Sequence, residues 1–190
     1  MSSLKGNILI TGASRGIGCA LVRALLKCDG VKRIFAGCRN PVHAYNLQEF
    51  ESSNKLKLIK FSVQENESID SVFDEIFNEL NGEGLDMLIN TAAIFEEVQT
   101  KEGYEMNIVY GMSKAALNNY TAVISKVYKD SNIMVISICP GPIYKDVTGS
   151  SLHPGISLDE SAAEIINTIT KLNIEDTGKF IDRFGTVIPF

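Results

Sequence analysis

Asn7-Ile-Leu-Ile-Thr11-Gly12-Ala-Ser14-Arg15-Gly16-Ile17-Gly18 sets a short apolar run directly against a glycine-rich turn, and an amphipathic stretch, Ile17 to Cys28, follows. It reads as strand, phosphate-binding turn, helix. Gly12 permits a sharp turn, Gly16 lets backbone approach a pyrophosphate with no side chain between, and Gly18 lets the new helix lie close on its strand. The free N–H groups of the helix then face an anion. Ile17, Leu21, Ala24, Leu25 and Cys28 recur at helical spacing, so strand and helix fall where the motif requires them. A turn that only connects two elements is the competing reading, and this context weighs against it.

Alternation continues outward from that unit. Arg33 to Gly37 is a second strand, and Pro41 opens a helical segment, proline being suited to a first helical turn. Leu56 to Val63 reads as a third strand; Ile69, Val72, Phe73, Ile76 and Leu80 mark one face of a helix that Gly82 and Gly84 end. Leu85 to Asn90 is a fourth strand, Tyr104 to Tyr128 is mostly helical, and Ile133 to Cys139 is a buried strand stopped by Pro140-Gly141. Ser157-x-x-Glu160 is a capping box before a helix carrying Ala162, Ile165, Ile166 and Ile169. Phe180 and Ile181 suit a last strand, and residues 146–156 a loop beyond the carboxyl ends of the strands. The βαβα order predicts an α/β fold, a Rossmann-type doubly wound parallel sheet covered on both faces.

The 190 residues suit one dinucleotide-binding domain spanning 1–190. Against 18 Lys and Arg stand 23 Asp and Glu, a net charge of -5 with no basic block, which argues against nucleic acid as a partner. Neither a secretory signal nor a membrane-spanning run is legible, so a cytoplasmic protein is expected. Cys19, Cys28, Cys38 and Cys139 lack metal-site spacing and read as reduced, buried thiols. Asn66-Glu67-Ser68 matches a glycosylation sequon, an accidental match on that reading. His43 and His153 are the only histidines; neither has metal-site spacing, no metal is expected, and both read as solvent-facing.

Tyr110-Gly-Met-Ser-Lys114 is the second informative constellation, because residues four apart share a helix face. A positive charge beside a phenol favours the phenolate, so such a pair suits general acid chemistry on a carbonyl oxygen that receives a hydride. Taken alone the spacing equally describes a helix surface. The dinucleotide turn upstream tips the balance.

Together these features resemble the short-chain dehydrogenase/reductase family over nearly the whole chain. That family's Thr-Gly-x-x-x-Gly-x-Gly turn is matched by Thr11 to Gly18, its Tyr-x-x-x-Lys by Tyr110 and Lys114, and its Pro-Gly by Pro140 and Gly141. Met112 to Leu117, Ile138 to Gly141 and Gly178 to Phe190 look most like its C-factor-like and Sniffer-type carbonyl reductases. The resemblance implies Tyr110 as proton donor, Lys114 as its tuner and as holder of the nicotinamide ribose, and Asn107 as support for a proton relay. Asn107 reads equally as a surface residue. Gly12, Ser14, Arg15, Gly16, Ile17 and Gly18 are expected at the phosphates, with Asn90, Ala92, Pro140 and Gly141 completing the cofactor site. Arg39 follows the second strand where an NAD-preferring member carries an acidic residue; a guanidinium there pairs with a 2'-phosphate, so NADP(H) is the expected cofactor. A solvated loop arginine is the alternative for Arg39.

Departures matter as much as matches. Asn-Asn-Ala-Gly stands as Asn90-Thr91-Ala92-Ala93, and Ser62-Val63 replaces the Asp that binds adenine. Lys145 stands where a Thr contacts the carboxamide, with Thr148 out of register. The largest departure is an apparent internal deletion: the family's long helix, fifth strand and catalytic Ser, expected between Asn107 and Tyr110, are replaced by Ile108 and Val109. Ser137 follows Tyr110 and runs into Pro140-Gly141, so the Ser role does not pass to it. A sheet one βα unit short of the usual seven strands is expected, with 133–139 pairing beside 85–90; an unstable splice or gene-model product is the alternative.

Two functions follow from the resemblance. One is an NADP(H)-dependent oxidoreductase that reduces a small-molecule carbonyl (aldehyde, ketone or quinone). The other is a catalytically silent NADP(H)-binding sensor or partner protein. A nucleoside-triphosphatase is disfavoured, because Gly16-Ile17-Gly18 is not followed by the Lys and Ser or Thr of a P-loop. Arg39 disfavours a methyltransferase. The family's oligomer contact draws on the helices around the gap, so a homo-oligomer is left open.

Overall fold

The computed structural model describes residues 4–93, 108–143 and 155–189. The chain divides into two compact units, Met1–Ala92 with Pro142–Thr170, and Ala93–Gly141 with Lys171–Phe190.

In the first unit β1 (Gly6–Thr11) is buried along its whole length, and α1 (Gly16–Leu26) follows it. β2 (Val31–Cys38) pairs parallel with β1, placing Ile8 beside Ile34 and Leu9 beside Phe35. Pro41 opens a single 3-10 turn, Pro41–His43, and then a four-residue helix α2 (Tyr45–Gln48), shorter than the proline signal suggests. Only Ala44 and Leu47 are buried there, too few apolar anchors to extend it. β3 (Leu56–Lys60), α3 (Asn66–Leu80) and β4 (Met87–Asn90) complete a parallel sheet in the order β3-β2-β1-β4. The crossovers on the two faces make it doubly wound.

Each face has its own packing. Leu9, Phe35 and Ile59 project to one face and pack with Val72, Ile76 and Leu80 of α3. Strand alternation sends Ile8, Ile10 and Ile34 to the other face, the side of α1. α5 (Leu158–Ile169) packs on α1, and the Arg23 guanidinium reaches Asp159 through Nε at 3.2 Å and Nη2 at 2.6 Å. The expected capping box forms: Glu160 N–H donates to Ser157 Oγ, and Ser157 N–H to Glu160 Oε2, each at 3.1 Å.

One apolar face needs correction. Phe73 is 67% exposed and Phe77 64%, and Ile69 is exposed as well, whereas the helix buries Val72, Ile76 and Leu80. Packing on Leu9, Phe35 and Ile59 sets this rotation, and Lys57, bonded to Glu75 and Glu79, and Arg33, paired with Glu79, flank the buried face.

The second unit holds α4 (Ile108–Tyr128) and a two-stranded parallel sheet of β5 (Ser137–Cys139) and β6 (Phe180–Asp182). The expected pairing of 133–139 beside 85–90 is not made: β4 is the last strand of its sheet, and β5 takes β6 as partner, Ser137 opposite Phe180 and Cys139 opposite Asp182. The backbone just before β5 is committed the same way, Gly178 N–H donating to Val135 O at 2.7 Å and Ser137 N–H to Lys179 O at 3.1 Å. Residues 104–107 of the expected helix and nearly all of the 146–156 loop lie outside the described residues.

Candidate functional site

β1 delivers Thr11 to the glycine turn, and each glycine has its own reason. Gly12 has φ +69°, and a Cβ there would meet the Ala92 backbone at 2.7 Å. A Cβ on Gly18 would meet Thr91 Oγ1 at 2.5 Å and the Gly12 carbonyl at 2.6 Å. Gly16 has φ +59° and no atom within 4 Å of a Cβ position, so its side is open. The first turn of α1 carries no acidic residue, and Arg15 at its N-cap makes no side-chain cap, which leaves the helix N–H groups to another acceptor.

This open cradle is tied to β2 and β4. Ala13 N–H donates to Gly37 O at 3.0 Å, holding the turn against the end of β2, two residues before the exposed Arg39. Thr11 Oγ1 accepts from Ala92 N–H at 3.3 Å and donates to Asn90 Oδ1 at 3.4 Å. Thr91 Oγ1 donates to Thr11 O at 2.5 Å. Thus Gly12, Gly18, Asn90 and Ala92 are brought together, with Ser14 half-buried and Arg15 and Gly16 exposed beside them. Cys38, next to Arg39, is an inert thiol: burial pushes its pKa up to about 11.

Tyr110 and Lys114 belong to the second unit, one turn apart on α4 and both half-buried. Lys114 Nζ lies 5.3 Å from the Tyr110 ring centroid, over the ring, and burial lowers the pKa of the ammonium. Ser113 Oγ donates to Tyr110 O at 2.7 Å and is spent on its own helix. Ser137 Oγ pairs with Thr121 Oγ1 at 3.0 Å. Thr121 stands eleven residues beyond Tyr110, about 16 Å along the helix axis, so Ser137 is no stand-in for a serine beside that phenol. Pro140-Gly141 follows β5; Gly141 has φ +80°, and Arg183, held over the Phe184 ring at 4.3 Å, fills the space beside it. Asn107, Lys145, Thr148 and His153 lie outside the described residues; His43 is exposed and stacks on Tyr45.

Two features escaped the sequence reading. Thr91 closes the cradle, and Arg183 braces the Pro-Gly turn. The only signal for the first was the Thr in Asn90-Thr91-Ala92-Ala93, beside a glycine change that drew attention instead.

A parallel sheet whose first strand ends in a glycine cradle at a helix N-terminus defines a Rossmann-type dinucleotide-binding protein. More narrowly, the chain belongs to the short chain dehydrogenase family, an oxidoreductase family whose model matches residues 6–103 and 97–154. An uncharacterized oxidoreductase of Schizosaccharomyces pombe is 24% identical over 256 residues, covering 100% of both chains. That alignment is longer than the 190 residues here, so the relative carries residues that this chain lacks. The structure of an NADPH-bound carbonyl reductase from chicken fatty liver is similar with TM-score 0.90 at 24% identity, covering 98% of this chain and 100% of that one. Carbonyl reductase Sniffer of D. melanogaster is similar with TM-score 0.87 at 23% identity, covering 98% and 100%. At these identities the two structures speak for the fold.

Proposed function

We propose that the chain is a single dinucleotide-binding domain that holds NADP(H) and reduces an aldehyde, ketone or quinone. One observation carries the cofactor reading: the cradle is packed shut at Gly12 and Gly18 and open at Gly16, with uncapped N–H groups behind it and an exposed Arg39 at the end of the neighbouring strand. Open backbone and a guanidinium suit a pyrophosphate and a 2'-phosphate. The NADPH found in the chicken reductase fits the same assignment. Gly12, Ser14, Arg15, Gly16, Ile17, Gly18, Asn90 and Ala92 hold the nucleotide half, and Lys114, Pro140 and Gly141 the nicotinamide half.

When bound, NADPH supplies the hydride. Tyr110 gives its phenolic proton to the carbonyl oxygen, and the Lys114 ammonium stabilises the phenolate left behind. Asn107 supports the proton path. Among the described residues no serine stands in the assisting role: removing a donor of that kind costs about 10² to 10³ in rate, so turnover is expected to be slow.

Ser137, occupied by Thr121 far from Tyr110, favours a second reading in which the protein binds NADP(H) without chemistry. Titration with NADPH and NADH, followed by NADPH oxidation with aromatic ketones and quinones, separates the two. Tighter binding of NADPH with slow turnover that Tyr110→Phe lowers at least a hundredfold is the expected result. Binding without turnover selects the silent protein, and absence of binding overturns both.

A further inference from the structure

The hydroxyl of Thr91 is bonded to one end of the glycine turn and lies beside the other. It donates to the carbonyl of Thr11 at 2.5 Å, and it stands 2.5 Å from the point where a Cβ on Gly18 would be. The Gly12 carbonyl borders the same point at 2.6 Å. One oxygen therefore stands between the start of the turn and the start of α1. Between these two fixed ends lies Gly16, the position that faces open space.

The neighbouring groups cannot take over this task. Thr11 Oγ1 already accepts from Ala92 N–H and donates to Asn90. Ala13 N–H is engaged by Gly37 O. The sheet itself does not depend on Thr91, because β4 is held to β1 through Met87, Leu88, Ile89 and Asn90, and Thr91 stands just beyond that ladder. A group outside the strand pairing that clamps both ends of an anion-binding turn is placed to set the turn's width.

We propose that Thr91 is a positioning residue for the dinucleotide: through Thr11 and Gly18 it holds the turn at the opening that admits a pyrophosphate against Gly16. This rests on the NADP(H) reading above. The hydroxyl preorganises the turn, so its loss is felt in nucleotide affinity more than in folding. Thr91→Val keeps the shape and removes the donor, leaving the Thr11 carbonyl without its partner; Thr91→Ser keeps the donor and removes the methyl.

The test is fluorescence titration of wild type, Thr91→Val and Thr91→Ser with NADPH, paired with amide hydrogen exchange across 11–18 in the nucleotide-free proteins and with urea unfolding. The expected result is about tenfold weaker NADPH binding and faster exchange in the turn for Thr91→Val, with Thr91→Ser restoring both to within about twofold of wild type. Equal affinity in wild type and Thr91→Val overturns the proposal while leaving the cofactor reading intact. A Thr91→Ser variant as weak as Thr91→Val also overturns it, because the methyl and not the hydroxyl is then responsible. Should Thr91→Val fail to fold, Thr91→Ser with unchanged turn exchange and affinity supports the proposal, and any larger loss in it goes against. Wild type that does not bind NADPH overturns this proposal and the cofactor reading together.

Discussion

In the four-stranded sheet β1 is buried from end to end, and Ile8, Ile10, Ile34 and Phe35 have no exposed surface, whereas in the two-stranded sheet only Ile181 is buried. The helices differ in the same sense. α1 buries Leu21, Val22 and Leu25, while the buried residues of α4 are Thr121 and Ser125, and its Val109, Met112, Tyr120 and Val123 are more than half exposed. One unit is held by apolar burial; the other leans on hydroxyl pairing and turns such as Gly178, where a Cβ would meet Ser125 Oγ at 2.7 Å. The cradle sits on the first kind of support and the Tyr110–Lys114 pair on the second. Binding is thereby expected to be more robust to mutation than chemistry.

Truncations in the two cores test that difference most strongly. Phe35→Ala is expected to cost about 4 kcal/mol, and Ile181→Ala about 2 kcal/mol, since a half-exposed surrounding collapses around a cavity more readily. Urea unfolding measures both. An Ile181→Ala loss equal to that of Phe35→Ala would break the comparison.

A smaller contrast lies inside the cradle. Gly18→Ala places a Cβ against the Gly12 carbonyl and the Thr91 hydroxyl, and is expected to cost about 3 kcal/mol and to abolish NADPH binding. Gly16→Ala meets no atom and carries only the strain of its positive φ, about 1 kcal/mol. Its effect on NADPH affinity should nevertheless be as large as that of Gly18→Ala, because the new methyl points into the open space. A Gly16→Ala variant that binds NADPH as wild type does would show that the nucleotide does not use that space.

What was legible in the sequence were features decided locally. The Thr11–Gly18 turn needs only positive φ and close packing over a few residues, and the Ser157–Glu160 box closes within one turn, so residue types alone announce both. The face of α3 was half legible: apolar spacing includes Phe73, but the packing of Val72, Ile76 and Leu80 on Leu9, Phe35 and Ile59, residues distant in sequence, decides how the helix is rotated. Pairing partners were not legible at all. Ile133 to Cys139 reads as a strand from its composition, yet nothing in that run names Phe180–Asp182 as its neighbour. Of the candidate site, residue types single out Gly12 to Gly18, Tyr110 and Lys114 as candidates, but the hydroxyl of Thr91 acquires its place only once β4 lies beside β1.

Acid titration gives the finest separation between the two units. Hydrogen bonding and charge from Lys57, with Arg33 adding, hold the Glu79 carboxylate below its ordinary pKa of 4.5. Lys179 and the Asn173 N–H hold Asp176 below its ordinary 3.8. A depressed carboxylate pKa in the folded state gives a stabilisation that is complete above the unfolded value and is lost as pH falls through the folded one. Stability from Glu79 is thus lost below pH 4.5, and that from Asp176 below 3.8. Glu79 is exposed and Asp176 half-buried at the surface, so each effect is small and screened by salt. They differ in reach: Glu79 ties α3 to β2 and β3, whereas Asp176 bonds Lys179 at 2.6 Å three residues away. Glu79→Gln should therefore lower the Tm at neutral pH and flatten its fall below pH 4.5, and should do less in about 1 M salt. Asp176→Asn should leave the Tm nearly unmoved, because a contact within one turn adds little to what unfolding must undo. The reverse ranking would mean that the second unit, despite its thin core, is the one that limits the stability of the chain.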